Sequence, residues 1–231
     1  MNTRTDVINY YINKRNYQSY LEIGVLDGGS FNKINIENKI GVDPYPRCNF
    51  PEIIKTTSDK FFEEISDDLK FDIIFIDGDH TYEQVIKDIY NSIKHLNDNG
   101  IIVMHDTICN YEHETCQLPP PMNKCYPYNG TVYQAFIQML MLNELDHKYN
   151  IYYTGIDYVS VIDTQFDISV TKEDNILDKY LDIIKFYNNL HNVNIDYTSK
   201  ENISLLLSTY TISFNKYIKN KSWLYPIANL N

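Results

Sequence analysis

Positive charge is what this chain has least of: 20 Lys and Arg stand against 31 Asp and Glu, a net charge of −11. Phosphate backbones are held by clustered cations, so nucleic acid is not an expected partner. Long apolar runs are missing too. The longest, DIIFID at 72–77 and GIIVMHD at 100–106, fall far short of the ~20 residues that cross a bilayer. No membrane partner is expected. The opening stretch MNTRTDVINYYINKRN lacks the apolar core of a signal peptide, which makes a cytoplasmic location the expectation. Cysteine is sparse, with only Cys48, Cys109, Cys116 and Cys125, too few for a disulfide scaffold. The last three share a loop with His113, but no C-x-x-C pair occurs, and reduced thiols are favoured over a zinc site.

What remains suits a folded core: 231 residues, 43% of them hydrophobic. Residues 5–16 read as an amphipathic helix, and 19–25 (SYLEIGV) as a buried strand. A helix over 30–38 (SFNKINIEN), a strand at 39–43 (KIGVD) and a strand at 52–58 (EIIKTTS) are expected next. The stretch 59–69 (DKFFEEISDDL) reads as a helix capped by Asp59. FDIIFID gives a fourth strand. The helix over 81–97 aligns Val85, Ile89, Ile93 and Leu96 and stops by Asn99-Gly100. GIIVMHD is a fifth strand. Such alternation predicts βαβ units, and hence a doubly wound α/β fold with a parallel sheet covered on both faces.

Residues 107–129, with a triple proline, break the rhythm. This loop leaves the C-terminal end of the fifth strand, where open α/β sheets bind ligands, and is expected to cover a substrate. A helix at 131–145 and two strands within 149–164, joined at 155–157, follow. Residues 1–165 are read as the core. Residues 166–231, with helical stretches near 174–190 and 201–219, are read as a helical appendage, a lid or a homo-oligomer surface.

The first βα turn, LEIGVLDGGS at 21–30, carries the first chemical signal. Gly24 and Gly28 allow close backbone approach to a ligand beside an exposed helix N-terminus. Glu22 would repel a pyrophosphate but suits a cationic amino group, and the G-x-G-x-x-G of a dinucleotide site is absent. Asp43, about 20 residues on, is placed to accept from ribose hydroxyls. Asp77, Asp79, His80, His105 and Asp106 fall at the ends of two strands expected to be neighbours. Such convergence is costly unless the groups are paired, hydrated or metal-bound. Asp77 and Asp106 offer oxygen ligands suited to Mg²⁺. His80 is a candidate general base, because imidazole accepts a proton near neutral pH. Asp79 is equally a helix N-cap.

With these residues in place the chain resembles the class I S-adenosylmethionine-dependent methyltransferases over about residues 18–165. LEIGVLDGGS is similar to their first motif, GVDPY at 41–45 to their acidic second-strand end, and TTSDKFF at 56–62 to the segment beside the adenine. FDIIFIDGDHTYEQVIKDI with GIIVMHDT resembles the enzymes that methylate small-molecule or sugar hydroxyls, of the catechol and macrocin O-methyltransferase types. NGTVYQAF at 129–136 is similar to bacterial and viral sugar-methylating relatives.

The resemblance implies a seven-stranded Rossmann-like sheet and S-adenosylmethionine as cofactor. By position it implies Glu22, Gly24 and Gly28 at the methionine end, Ser30 at its carboxylate, Asp43 at the ribose, and Ser58 and Asp59 near the adenine. Asp77 would border both cofactor and acceptor. It further implies catalysis by His80, Asp77 and Asp106, with Asp77, Asp106 and His105 as metal ligands. Thr107 stands where the catechol-type enzymes carry an amide ligand. Two other readings compete: a non-catalytic methyltransferase-like binding subunit, and an NAD-dependent sugar oxidoreductase or epimerase. The second would need a Tyr-x-x-x-Lys pair, and Tyr217 with Lys221 has that spacing only in the appendage.

Overall fold

The computed structural model describes residues 1–107, 129–133, 135, 136, 139, 149–154 and 156–164. The appendage at 166–231 and almost all of the 107–129 loop lie outside them, as do Cys109, Cys116, Cys125, His113, Tyr217 and Lys221. Seven strands form one sheet in the order β3-β2-β1-β4-β5-β7-β6. They are β1 (Ser19–Ile23), β2 (Asn38–Val42), β3 (Ile53–Ile54), β4 (Phe71–Ile76), β5 (Leu96–Met104), β6 (Asn150–Tyr153) and β7 (Ser160–Asp163). The first five are parallel, while β7 runs antiparallel to both β5 and β6. The doubly wound expectation holds, and among the described residues no helix is long and apolar enough to cross a membrane.

Period-two alternation divides the sheet's side chains between two faces. Tyr20, Ile73, Phe75, Ile101, Val103 and Val161 join one core with Val7, Ile8, Tyr11 and Ile12 of helix α1 (Arg4–Arg15). Leu21, Ile23, Ile74, Ile76, Ile102 and Met104 are buried on the opposite face. Helix α3 (Tyr82–Lys94) packs against β4, β5 and helix α2 (Ser58–Glu64). Burial on both faces explains why β4 and β5 read as unbroken apolar runs.

Helix α1 is fixed at both ends. Thr3 and Asp6 form a reciprocal capping box, and Asn16 closes the helix in the left-handed region. Arg15 then reaches β7, where it makes two hydrogen bonds of 2.8 and 2.5 Å to the fully buried Asp163.

Several local expectations need correction. Residues 30–38 form no α-helix but one 3₁₀ turn, Phe31–Lys33, followed by extended chain. Their backbone groups are spent on tertiary partners. Asn9 of α1 donates to the Lys33 carbonyl and accepts from Asn35 N–H, while Lys39 Nζ donates to the Phe31 and Ile34 carbonyls. The strand expected over 52–58 keeps only two residues in the sheet. Helix α2 is capped by Thr57 rather than Asp59, and stops at Glu64, short of the turn-favouring Ser66-Asp67-Asp68. Helix α3 ends at Lys94, because Leu96 already pairs with Phe71 in β5. Ile93 and Leu96 are therefore half-buried, and Ile86 takes the place expected of them in the core.

Candidate active site

The sheet order reverses beside β1, whose neighbours are β2 and β4, and the C-terminal ends of these strands frame a cleft position typical of ligand sites. Gly24 leaves β1 at φ +87°, and a Cβ there would lie 2.1 Å from the Asp77 carbonyl oxygen. Only glycine lets these two strand ends meet. Gly28 is also left-handed, at φ +76°, as is Leu26 at +49°. A leucine in that region is strained and needs external support. Asp43 provides it: its Oδ2 accepts from Val25 N–H at 3.0 Å and Leu26 N–H at 2.8 Å, and its Oδ1 from Tyr45 N–H at 2.7 Å. Asp43 thus shapes the turn.

Glu22 is 1% exposed on β1, and the Tyr20 hydroxyl donates to its Oε2 at 2.5 Å. Burial lifts its pKa to about 8, with the Tyr20 bond pulling the other way. The folded protein therefore retains a proton that the unfolded chain releases at the ordinary carboxylate pKa of about 4.3. The resulting stability is complete below that value and falls as pH rises towards 8. Asp88 of α3, raised by burial to about 7, acts in the same direction. We expect Glu22→Gln to flatten the decline in melting temperature between pH 5 and 8.5. Parallel curves for variant and wild type would show that Glu22 is not the group responsible.

Ser58 and Asp59 tie α2 to α3. Gln84 Nε2 donates to Ser58 Oγ at 3.2 Å and Asp59 Oδ1 at 2.9 Å, and Lys87 Nζ pairs with Asp59 Oδ2 at 2.9 Å. Asp79 does not cap α3, whose N-cap is Thr81; its Oδ1 accepts from Thr81 N–H at 2.9 Å. The first free amide of α3, Tyr82 N–H, goes instead to Thr131 Oγ1 at 2.6 Å, while Thr131 N–H donates to the His80 carbonyl at 2.8 Å. The NGT segment thereby fixes the backbone on both sides of His80–Tyr82.

Four groups meet where β4 and β5 end. His80 Nε2 lies 3.7 Å from Asp77 Oδ1 and 3.5 Å from Asp106 Oδ2. His105 Nδ1 lies 3.2 and 3.1 Å from the same two oxygens. Asp106 adopts φ +56°, a left-handed conformation unusual for a residue with a side chain. One ligand atom each from Asp77, His80 and Asp106 falls within 4.8 Å of the others, a spacing that could hold a cation. Thr107 is turned away, bonded to the Tyr158 carbonyl and Ser160 Oγ.

Burial alone would raise the Asp77 pKa, but hydrogen bonds from His105 and His80 with the charge of Arg4 hold it well below the carboxylate range. For His105, burial opposes the cation, while Asp106 and Asp77 together lift the pKa to about 9. Arg4 works against that proton. Its Nη1 is 2.8 Å from His105 Nε2, and two N–H donors do not face each other at that distance. The bonding geometry therefore favours the neutral ring, with Nδ1–H on the carboxylates and Nε2 accepting from Arg4.

Arg4 is the site residue that sequence reasoning missed. It occupies the first helical position of α1, where the helix dipole disfavours a cation, and that misplaced charge was the available signal. Asp157, from the β6–β7 turn, was missed as well; its Oδ2 accepts from Arg4 N–H at 2.9 Å.

Residues 21–107 match the model of a methyltransferase domain. The matched segment runs from within β1 to just past β5. The uncharacterized protein R132 of Acanthamoeba polyphaga mimivirus is 35% identical over 112 residues, covering 38% of this chain and 51% of its own length. The chain thus spans about half the length of that curated relative. Among solved structures, the SAH-bound methyltransferase PaMTH1 of Podospora anserina shares the fold at a TM-score of 0.52 and 16% identity, over 71% of this chain and 80% of that one. The antiparallel direction of β7 is one that sequence reading, which placed two strands within 149–164, left open.

Proposed function

We propose that the protein is an S-adenosylmethionine-dependent O-methyltransferase acting on a hydroxyl of a sugar, a glycan or another small acceptor. The observation that carries this reading is the left-handed Gly24 turn, pinned by Asp43 and abutting Asp77 of the acid–imidazole cluster. A turn in which a Cβ cannot be accommodated, flanked by acids rather than phosphate-binding amides, suits a cofactor with a cationic amino-acid end. When bound, S-adenosylmethionine would supply the activated methyl group. Glu22, Gly24 and Gly28 would receive its methionine end, Ser30 the carboxylate and Asp43 the ribose. Asp43 retains acceptor capacity beyond its three amide contacts, since a carboxylate offers about four lone-pair positions. Ser58 and Asp59 would border the adenine.

His80 Nε2 would take the proton of the acceptor hydroxyl, preparing its oxygen to attack the methyl carbon. Asp77 and Asp106 keep the imidazole in register. A divalent cation such as Mg²⁺ on Asp77 and Asp106, beside His105, would lower the hydroxyl's pKa. His80 Nε2 can ligate or accept the proton, not both at once, and chelation separates the two roles.

Calorimetric titration with S-adenosylmethionine, NAD and Mg²⁺, with and without chelator, tests the reading. Micromolar S-adenosylmethionine binding without an NAD response is expected. No binding under any metal condition would favour a non-catalytic subunit. Asp43→Ala should weaken cofactor binding roughly 10- to 100-fold, as loss of charge-assisted acceptors does. Unchanged affinity would remove the ribose assignment. Turnover indifferent to chelator would remove the metal.

A further inference from the structure

We infer that Arg4, delivered by the first turn of α1, pairs with the carboxylate of the cofactor's amino-acid end. The inference rests on the methyltransferase reading and adds a binding residue that lies outside the matched segment at 21–107. Three observations carry it. First, Arg4 Nε donates to Ser30 Oγ at 3.0 Å, so the guanidinium already lies against the hydroxyl assigned to that carboxylate. Second, its bonding is incomplete. Nε and Nη1 are used on Ser30 and His105, Asp77 Oδ2 is at an ion-pair distance of 3.8 Å, and Nη2 has no hydrogen bond among the described residues. A planar fork with donors to spare fits a carboxylate.

Third, the surroundings are acidic. Asp77, Asp106 and Asp157 stand close by. A zwitterionic ligand would find partners for its amino group in such a site, but its carboxylate would be repelled without a facing cation. Arg4 supplies that cation. A structural account explains less, because the helix is already capped by Thr3 and Asp6, and its Arg4 N–H is satisfied by Asp157. None of those contacts requires the side chain to be arginine.

The test measures binding of two probes to the full chain: S-adenosylhomocysteine, and S-adenosyl-3-thiopropylamine, which keeps the amine and lacks the carboxylate. Arg4→Ala is expected to weaken S-adenosylhomocysteine binding by about 10- to 100-fold and to change that of the decarboxylated probe by less than about threefold. Arg4→Lys should fall between, since lysine keeps the charge and loses the fork. It carries the same comparison if Arg4→Ala shows no cooperative melt. Equal weakening of both probes would make Arg4 a structural tie and overturn the inference, as would no weakening of either. A wild-type protein that binds neither probe would overturn the cofactor reading itself, a result distinct from failure of Arg4 alone.

Discussion

Replacing His80 by alanine is expected to lower turnover by about 10²-fold or more while leaving cofactor affinity nearly unchanged. The separation of the two effects follows from where the residue sits. Its Nε2 faces Asp77 and Asp106 at 3.7 and 3.5 Å, at the ends of β4 and β5, while the turn proposed to take the cofactor follows β1 and is braced by Asp43 after β2. The backbone at His80 is held independently by Thr131, whose N–H donates to the His80 carbonyl at 2.8 Å. Loss of the imidazole should therefore not collapse the start of α3. Steady-state rates at saturating S-adenosylmethionine, with cofactor dissociation constants measured alongside, give the answer. Turnover within a fewfold of wild type would make His80 a structural residue.

Arg15→Ala should cost about 3–5 kcal/mol of folding stability, the range found when one partner of a buried ion pair is removed. Asp163 is fully buried at the end of β7, and both its oxygens accept from Arg15, at 2.8 and 2.5 Å. Arg15 also donates to the Tyr17 hydroxyl, which in turn donates to the Asn99 carbonyl at 2.6 Å. The truncation removes both guanidinium donors from a buried carboxylate and releases the C-terminal end of α1 from β7. Since domains of this kind are stable by only about 5–15 kcal/mol, the variant should melt far below wild type. A chemical denaturation series measures this directly. Exchanging both partners for apolar residues of similar size, Arg15→Met with Asp163→Leu, should recover much of the loss, because no unpaired charge remains. A single-variant cost under about 1 kcal/mol would contradict the assignment.

The two expectations differ in how far the sequence foretold them. His80 was legible because it follows a strand of six residues whose apolar run leaves no ambiguity about where the strand ends. Asp77, His105 and Asp106 were legible for the same reason. Parallel strands buried on both faces announce their C-terminal ends, and ligand sites lie there. The Arg15–Asp163 pair was not legible, since its members are 148 positions apart and each has an ordinary local context.

Residues 30–38 show the limit from the other side. Their local pattern permits a helix, yet Asn9 and Lys39 claim the very backbone groups a helix would use. Helix α3 shows it again. Its apolar spacing continues to Leu96, but pairing with Phe71 draws that residue into β5. Local propensity is worth tenths of a kcal/mol per residue and gives way to such tertiary bonds.

The sequence by itself determined the alternation of strands and helices, the glycine turn after β1, and the acids and imidazoles at the strand ends. Each is written in residues close along the chain, where periodicity and turn chemistry act. Only the tertiary structure decided that Asp43 braces the Leu26 turn, that Thr131 caps α3, and that Arg4 crosses from α1 to Ser30 and His105. Those contacts join distant segments, and their partners are selected by the packing of α1 and the β6–β7 turn against the sheet rather than by neighbours in the chain.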